Sequence, residues 1–155
     1  MMTRRTTTQV EVDPIVVGRA RDLLERADLL LENADGITDD AERFRQLYLT
    51  ALRAAGAALA IGEPTSGRST RGLSSNAWNR LAVIMPDLAE QAERFAAWSV
   101  LRMNIEAGLE RDVDPVVVAE LHRLVLTFLD TVEGVVIAYE QGGHGAQSGS
   151  LAHPA

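Results

Sequence analysis

Residues 75–107 read SNAWNRLAVIMPDLAEQAERFAAWSVLRMNIEA. A short apolar-periodic segment, 76–84, runs into Met85-Pro86, and a long periodic segment follows. Ser75 has the side chain of a helix cap, and Pro86 breaks the first helix because its ring removes a backbone donor. Pro86-Asp87 then opens the next helix, with an acid in its first turn. Along that helix Leu88, Ala92, Phe95, Ala96, Ser99 and Met103 form one stripe, and Trp98, Leu101 and Ile105 form a second beside it. An apolar arc this wide is contacted on two sides, and one side is open to contact by a second subunit. Gly108 ends the helix. The reading is helix, proline break, helix, with no strand alternation, and the same period recurs along the chain.

Upstream, Asp13-Pro14 caps and opens a helix whose apolar residues are Val16, Val17, Ala20, Leu23, Leu24, Ala27, Leu30 and Leu31. Asp35-Gly36 ends it, with glycine suited to a left-handed terminal position. A second helix starts near Asp39, where Asp39 and Glu42 have capping-box spacing. Its stripe is Phe44, Leu47, Tyr48, Ala51, Leu52, Ala55, Ala58 and Leu59. Its second half is rich in alanine, so a neighbour can come close and the helix is expected to be central. Gly62 and Pro64 terminate it. Residues 62–75 form a long loop carrying Arg68 and Arg71 against a single acid, Glu63. Downstream, Asp114-Pro115 opens a last helix reaching about Gln141, ~39 Å at ~1.5 Å per residue. Gly134 sits inside it at up to ~1 kcal/mol relative to alanine, a cost read as permitting close packing.

The expected fold is therefore all-α: an antiparallel up-down bundle of four long helices plus one short helix. Residues 13–141 form the bundle, between disordered polar tails at 1–12 and 142–155. The chain has 155 residues, 46% of them hydrophobic, which is one domain with a core of its own. There is no cysteine, so disulfides and thiolate metal sites are excluded. No apolar run approaches the ~20 residues of a membrane span, and the N-terminus lacks the apolar segment of a signal peptide. These features point to a cytoplasmic protein without a membrane partner. A formal net charge of -7 argues against duplex DNA as a partner, because phosphate binding needs a basic face.

The chemistry-bearing residues are few. Of the three histidines, His144 and His153 lie in the expected tail, and there is no Glu-x-x-His pair, so neither a metal nor a cofactor is expected. No nucleophile elbow or phosphate loop occurs, and all fifteen basic side chains are arginine. His122, beside Arg123, is either a general base or a partly exposed helix histidine near the core boundary. Trp78 and Trp98 either stack on bases or pack in a core or interface; their helical spacing among aliphatic neighbours fits the second role. Arg102 falls on an apolar arc. It snorkels, pairs with Glu106 or points into a cleft.

Three segments carry a resemblance: DDAERFRQLYLTALRAAGAALA at 39–60, NAWNRLA at 76–82 and MPDLAEQAERFA at 85–96. Their order resembles a small stand-alone actinobacterial branch of the HEPN superfamily (higher eukaryotes and prokaryotes nucleotide-binding), over about residues 20–138. That resemblance implies a helical bundle, frequently dimeric, found in ribonucleases of toxin, defence or RNA-processing systems and in non-catalytic nucleotide- or RNA-binding partners. Catalytic members carry Arg, four to six residues, then His. Here Arg102-Met103-Asn104 is the nearest match, but Ala107, Gly108 and Leu109 stand where the histidine belongs. The ribonuclease constellation is incomplete, which argues against an enzyme. The expectation from the resemblance and the residues together is a homodimeric, non-catalytic module contacting a nucleotide, single-stranded nucleic acid or protein near Arg102, Asn104, Trp78, Asn79, Arg80, Arg68 and Arg71. The alternative is a divergent ribonuclease using Arg102 with His122.

Overall fold

The computed structural model describes residues 11–63 and 73–142. Helix α1 spans Pro14–Ala34, α2 Asp40–Gly62, α3 Leu73–Ile84, α4 Ala89–Ala97, α5 Ser99–Glu106 and α6 Pro115–Glu140. The caps follow the aspartates. Asp13 accepts from the Ile15 amide at 2.9 Å and Asp114 from the Val116 amide at 2.9 Å, each with proline opening the helix. Asp39 accepts from the Glu42 amide at 2.9 Å, but Glu42 does not close a capping box. Its carboxylate instead accepts two bonds from Arg45, at 3.1 and 2.9 Å.

The contacts give the directions. His122, early in α6, lies 3.9 Å from Asp35 at the end of α1, while the hydroxyl of Tyr139, late in α6, accepts from the Asp13 amide at 3.0 Å. Helix α6 is therefore antiparallel to α1. Gly62, at the end of α2, meets Ile84 and Met85, and Arg102 in α5 lies over Tyr48 near the start of α2. So α4 and α5 run back along α2. The result is an up-down bundle with the short α3 inserted before its third member.

Helix α2 is the centre, contacting α1, α3, α5 and α6. Small side chains make this possible. Ala54, Ala55, Ala57 and Ala58 have no exposed surface, and a β-carbon on Gly56 would already touch Leu23 of α1 at 3.4 Å. Around this spine Phe44, Leu47, Leu81, Phe95, Leu121, Val125, Phe128, Val132 and Val136 are fully buried. Arg21 of α1 clips the far side, bonding Glu133 at 2.9 Å and Glu140 at 2.8 Å on α6. That guanidinium holds the Glu140 carboxyl below its ordinary range.

The structure departs from the sequence reading in four places. The helix expected from Pro86 to Gly108 is interrupted: a 3-10 turn covers Pro86–Leu88, and α4 and α5 meet at Trp98. There the Trp98 amide bonds the Phe95 carbonyl at 3.0 Å, and the Ser99 hydroxyl takes the Ala96 carbonyl at 2.8 Å. A serine bonding back to the preceding turn competes with the helical ladder and bends it. Helix α3 begins at Leu73, so Ser75 lies within it and is not its cap. Helix α1 ends in right-handed turns around Asp35; among the described residues the left-handed glycines are Gly108 and Gly142, at φ 78° and 84°. Gly134 is not a close-packing device, since an added β-carbon there would meet nothing within 4 Å. Gly134→Ala is expected to stabilise the protein by about 0.5–1 kcal/mol, because alanine restricts the unfolded chain at no steric cost. Urea denaturation followed by circular dichroism measures this; an unchanged or lower midpoint would contradict it. The expected tails at 1–12 and 142–155 and the 62–75 loop lie mostly outside the described residues.

Candidate functional site

The aromatic residues converge where α2, α3, α4 and α6 meet. Trp78 stacks on Phe95 with ring centroids 4.8 Å apart, Phe95 meets Phe128 at 5.0 Å, and Phe44 meets Trp98 edge-on at 5.8 Å. Both tryptophans therefore take the packing role that their spacing indicated. Trp78 is 7% exposed, and its indole N–H donates to the Tyr48 hydroxyl at 2.8 Å. This satisfies two polar groups that would otherwise be buried unpaired.

Tyr48 is where core and surface join. Beside it opens a cavity of about 310 Å³ lined by Tyr48, Trp78, Asn79, Ser99, Arg102 and Met103. The Arg102 guanidinium carbon sits 5.1 Å from the centre of the Tyr48 ring, a cation–π arrangement. Its ion pair with Glu106 is long, at 3.7 Å, and Glu106 is itself well exposed. Such a pair is weak and leaves the charge available to a better anion. The Arg102 Nε is buried without an acceptor, but so are those of Arg43 and Arg80, so the cavity and not the orphan nitrogen distinguishes Arg102. Burial raises the Tyr48 phenol above its ordinary range, outweighing the Trp78 hydrogen bond and the Arg102 charge, which lower it. The phenol is protonated at neutral pH, and its own hydrogen has no acceptor among the described residues.

Of the sequence candidates, Arg102, Trp78 and Asn79 share this cavity. Arg80 does not. Its guanidinium is held by both carboxylate oxygens of Glu63, at 2.9 and 2.7 Å. Asn104 lies two residues from Arg102, which on a helix is the opposite face, and its carbonyl accepts from the amides of Leu109 at 2.8 Å and Glu110 at 3.2 Å. His122 stands apart, with the Asp35 carboxylate 3.9 Å away and no hydrogen bond to Arg102. Arg68 and Arg71 lie outside the described residues. Among the described residues no group of three or more His, Asp or Glu side chains converges to hold a metal. No helix among them is long and apolar enough to cross a membrane.

Sequence reasoning missed Tyr48 as a cavity residue, although one signal was present. A tyrosine on the apolar stripe of a central helix needs a partner for its hydroxyl, and Trp78 carries the matching N–H. With donors from Arg102, Asn79 and Tyr48 and two rings around one cavity, the arrangement can bind a flat or anionic group. It has no adjacent base to move a proton.

Residues 34–133 match the SAV_6107-like HEPN domain family. No curated protein and no solved structure matches the chain.

Proposed function

Because this chain belongs to the SAV_6107-like HEPN family, a nucleotide- or RNA-related class of module, we propose that it works by binding and not by catalysis. Its ligand is a nucleotide or a segment of single-stranded nucleic acid, held at the Tyr48–Arg102 cavity. The observation that carries this reading is a loosely paired Arg102 guanidinium set over an aromatic ring at the mouth of a cavity of about 310 Å³. Arginine grips phosphate in two-point fashion, and the Asn79 amide and Tyr48 hydroxyl offer direction to the rest of the ligand. The absence of a histidine from the residues lining this cavity supports binding over a ribonuclease built on Arg102 and His122. A homodimer belongs to the same proposal. Val100 is 60% exposed and Met103 54%, an apolar face on α5 that a second copy would cover.

The test is end-labelled single-stranded RNA incubated without metal, beside Arg102→Ala and His122→Ala. Wild type is expected to shift the RNA without cleaving it. Arg102→Ala is expected to bind about ten- to a hundredfold more weakly, as a charged hydrogen bond is worth about 1.5–3 kcal/mol. Cleavage that disappears in either variant would replace this reading with a nuclease. A wild-type protein that neither shifts nor cleaves RNA, and that gives no heat with mononucleotides, would remove nucleic acid as the ligand.

A further inference from the structure

A second concavity lies between α4 and α6. The helices touch through Phe95 and Phe128, and beside that contact they leave a groove of about 670 Å³. It shares no lining residue with the Arg102 cavity. Four charged residues line it: Glu90 and Arg94 from α4, Glu120 and Arg123 from α6. Because α4 and α6 run antiparallel in register at Phe95 and Phe128, the charges fall in a definite order. Glu90 stands at one end, Glu120 at the other, and the two arginines lie between them, roughly 9 Å apart along the axis at ~1.5 Å per residue. Trp98 and Leu124 lie between the arginines in the same register.

Neither arginine has an ionic partner among the described residues. Spacing does not explain this. Glu90 and Arg94 are four apart and Glu120 and Arg123 three apart, yet neither pair closes to within 4 Å. At the same spacings Asp22–Arg26, Glu42–Arg45 and Arg102–Glu106 do pair, at 3.5, 2.9 and 3.7 Å. Two unpaired guanidinium groups on opposite walls of one groove, with an indole between them, form a receptor for an anion attached to a flat ring. The acids at both ends limit its extent. A nucleic-acid strand along the groove would set its phosphates against Glu90 and Glu120, whereas one anionic group at the centre meets only the arginines.

We propose that this groove binds a small organic anion: a single phosphate or carboxylate between Arg94 and Arg123, carried on a flat ring that lies against Trp98 and Leu124. The Thr127 hydroxyl and Gln91 amide, which also line it, add neutral hydrogen bonds. This site stands independently of the Arg102 reading.

The probes are adenosine 5′-monophosphate and indole-3-acetate, titrated calorimetrically into the full chain. Saturable binding of the nucleotide alone assigns a phosphate ligand, of the indole acid alone a carboxylate, and of both the shared anion chemistry. In each case Arg94→Gln/Arg123→Gln is expected to weaken binding tenfold or more, with an unchanged melting temperature, since both residues are exposed. All titrations are made in the Arg102→Ala background, so that nucleotide held by the Arg102 cavity is not counted, which separates failure of this site from failure of that cavity. No saturable binding by either probe at millimolar concentration would overturn the proposal. So would binding that survives the double substitution, or an oligouridylate that competes through Arg94 and Arg123.

Discussion

Phe95→Ala is expected to destabilise the protein by about 3–5 kcal/mol, the usual cost of deleting a buried ring. Phe95 has no exposed surface and lies between Trp78 at 4.8 Å and Phe128 at 5.0 Å, so its ring packs α4 against both α3 and α6. Removing the ring loses its transfer free energy and leaves a void beside two other rings, one of which, Trp78, is tied to Tyr48 by a hydrogen bond. Small domains hold only about 5–15 kcal/mol in all, so the variant will be partly unfolded on mild heating. Phe95→Leu, which keeps most of the volume, is expected to lose less than half as much. Chemical denaturation followed by far-ultraviolet circular dichroism reads both. A Phe95→Ala cost below about 1 kcal/mol would mean that the aromatic cluster is not the keystone described above.

The opposite error is tested at the spine. Ala58→Leu adds three carbons to α2 at a position with no exposed surface, and is expected to cost about 1–3 kcal/mol through displaced neighbours. Ala58 lies on a helix packed by four others, so the added carbons must displace neighbours. Ala119→Leu, at an exposed position of α6, is the control, with an expected change within about 0.5 kcal/mol. If both variants melt alike, α2 is not under the steric constraint that its alanines indicate.

Much of this architecture was readable in one dimension. Asp13, Asp39 and Asp114 start helices because a short acidic side chain satisfies amides that the backbone leaves unpaired, and this needs no knowledge of the rest of the fold. The alanine run of α2 announced close approach for a similarly local reason. The break at Trp98 was not readable, since no proline or glycine marks it and the period of apolar residues continues across it. The end of α1 was misread because Asp35-Gly36 permits a left-handed turn without requiring one. The candidate sites depended on distance in space. Arg102 drew attention by standing on an apolar arc, but Tyr48, some fifty positions earlier, had no sequence link to it. Arg94 and Arg123 look like ordinary solvated charges until α4 and α6 are set side by side; only then do the pairs that fail to form become visible.

The interruption at Trp98 has a dynamic consequence. Helix α5 is eight residues long and contributes no fully buried side chain; its apolar hold on the bundle is through partly buried Leu101 and Ile105. A segment so short and so lightly anchored exchanges its amide hydrogens from local openings long before the bundle unfolds as a whole. Arg102 rides on that segment, while the ring beneath it belongs to the central, most extensively packed helix, α2. An occupant of the cavity would therefore quiet a fluctuating turn against a fixed wall. Part of its intrinsic affinity is spent on that ordering, so changes that stiffen α5 in advance would tighten binding without touching the ligand.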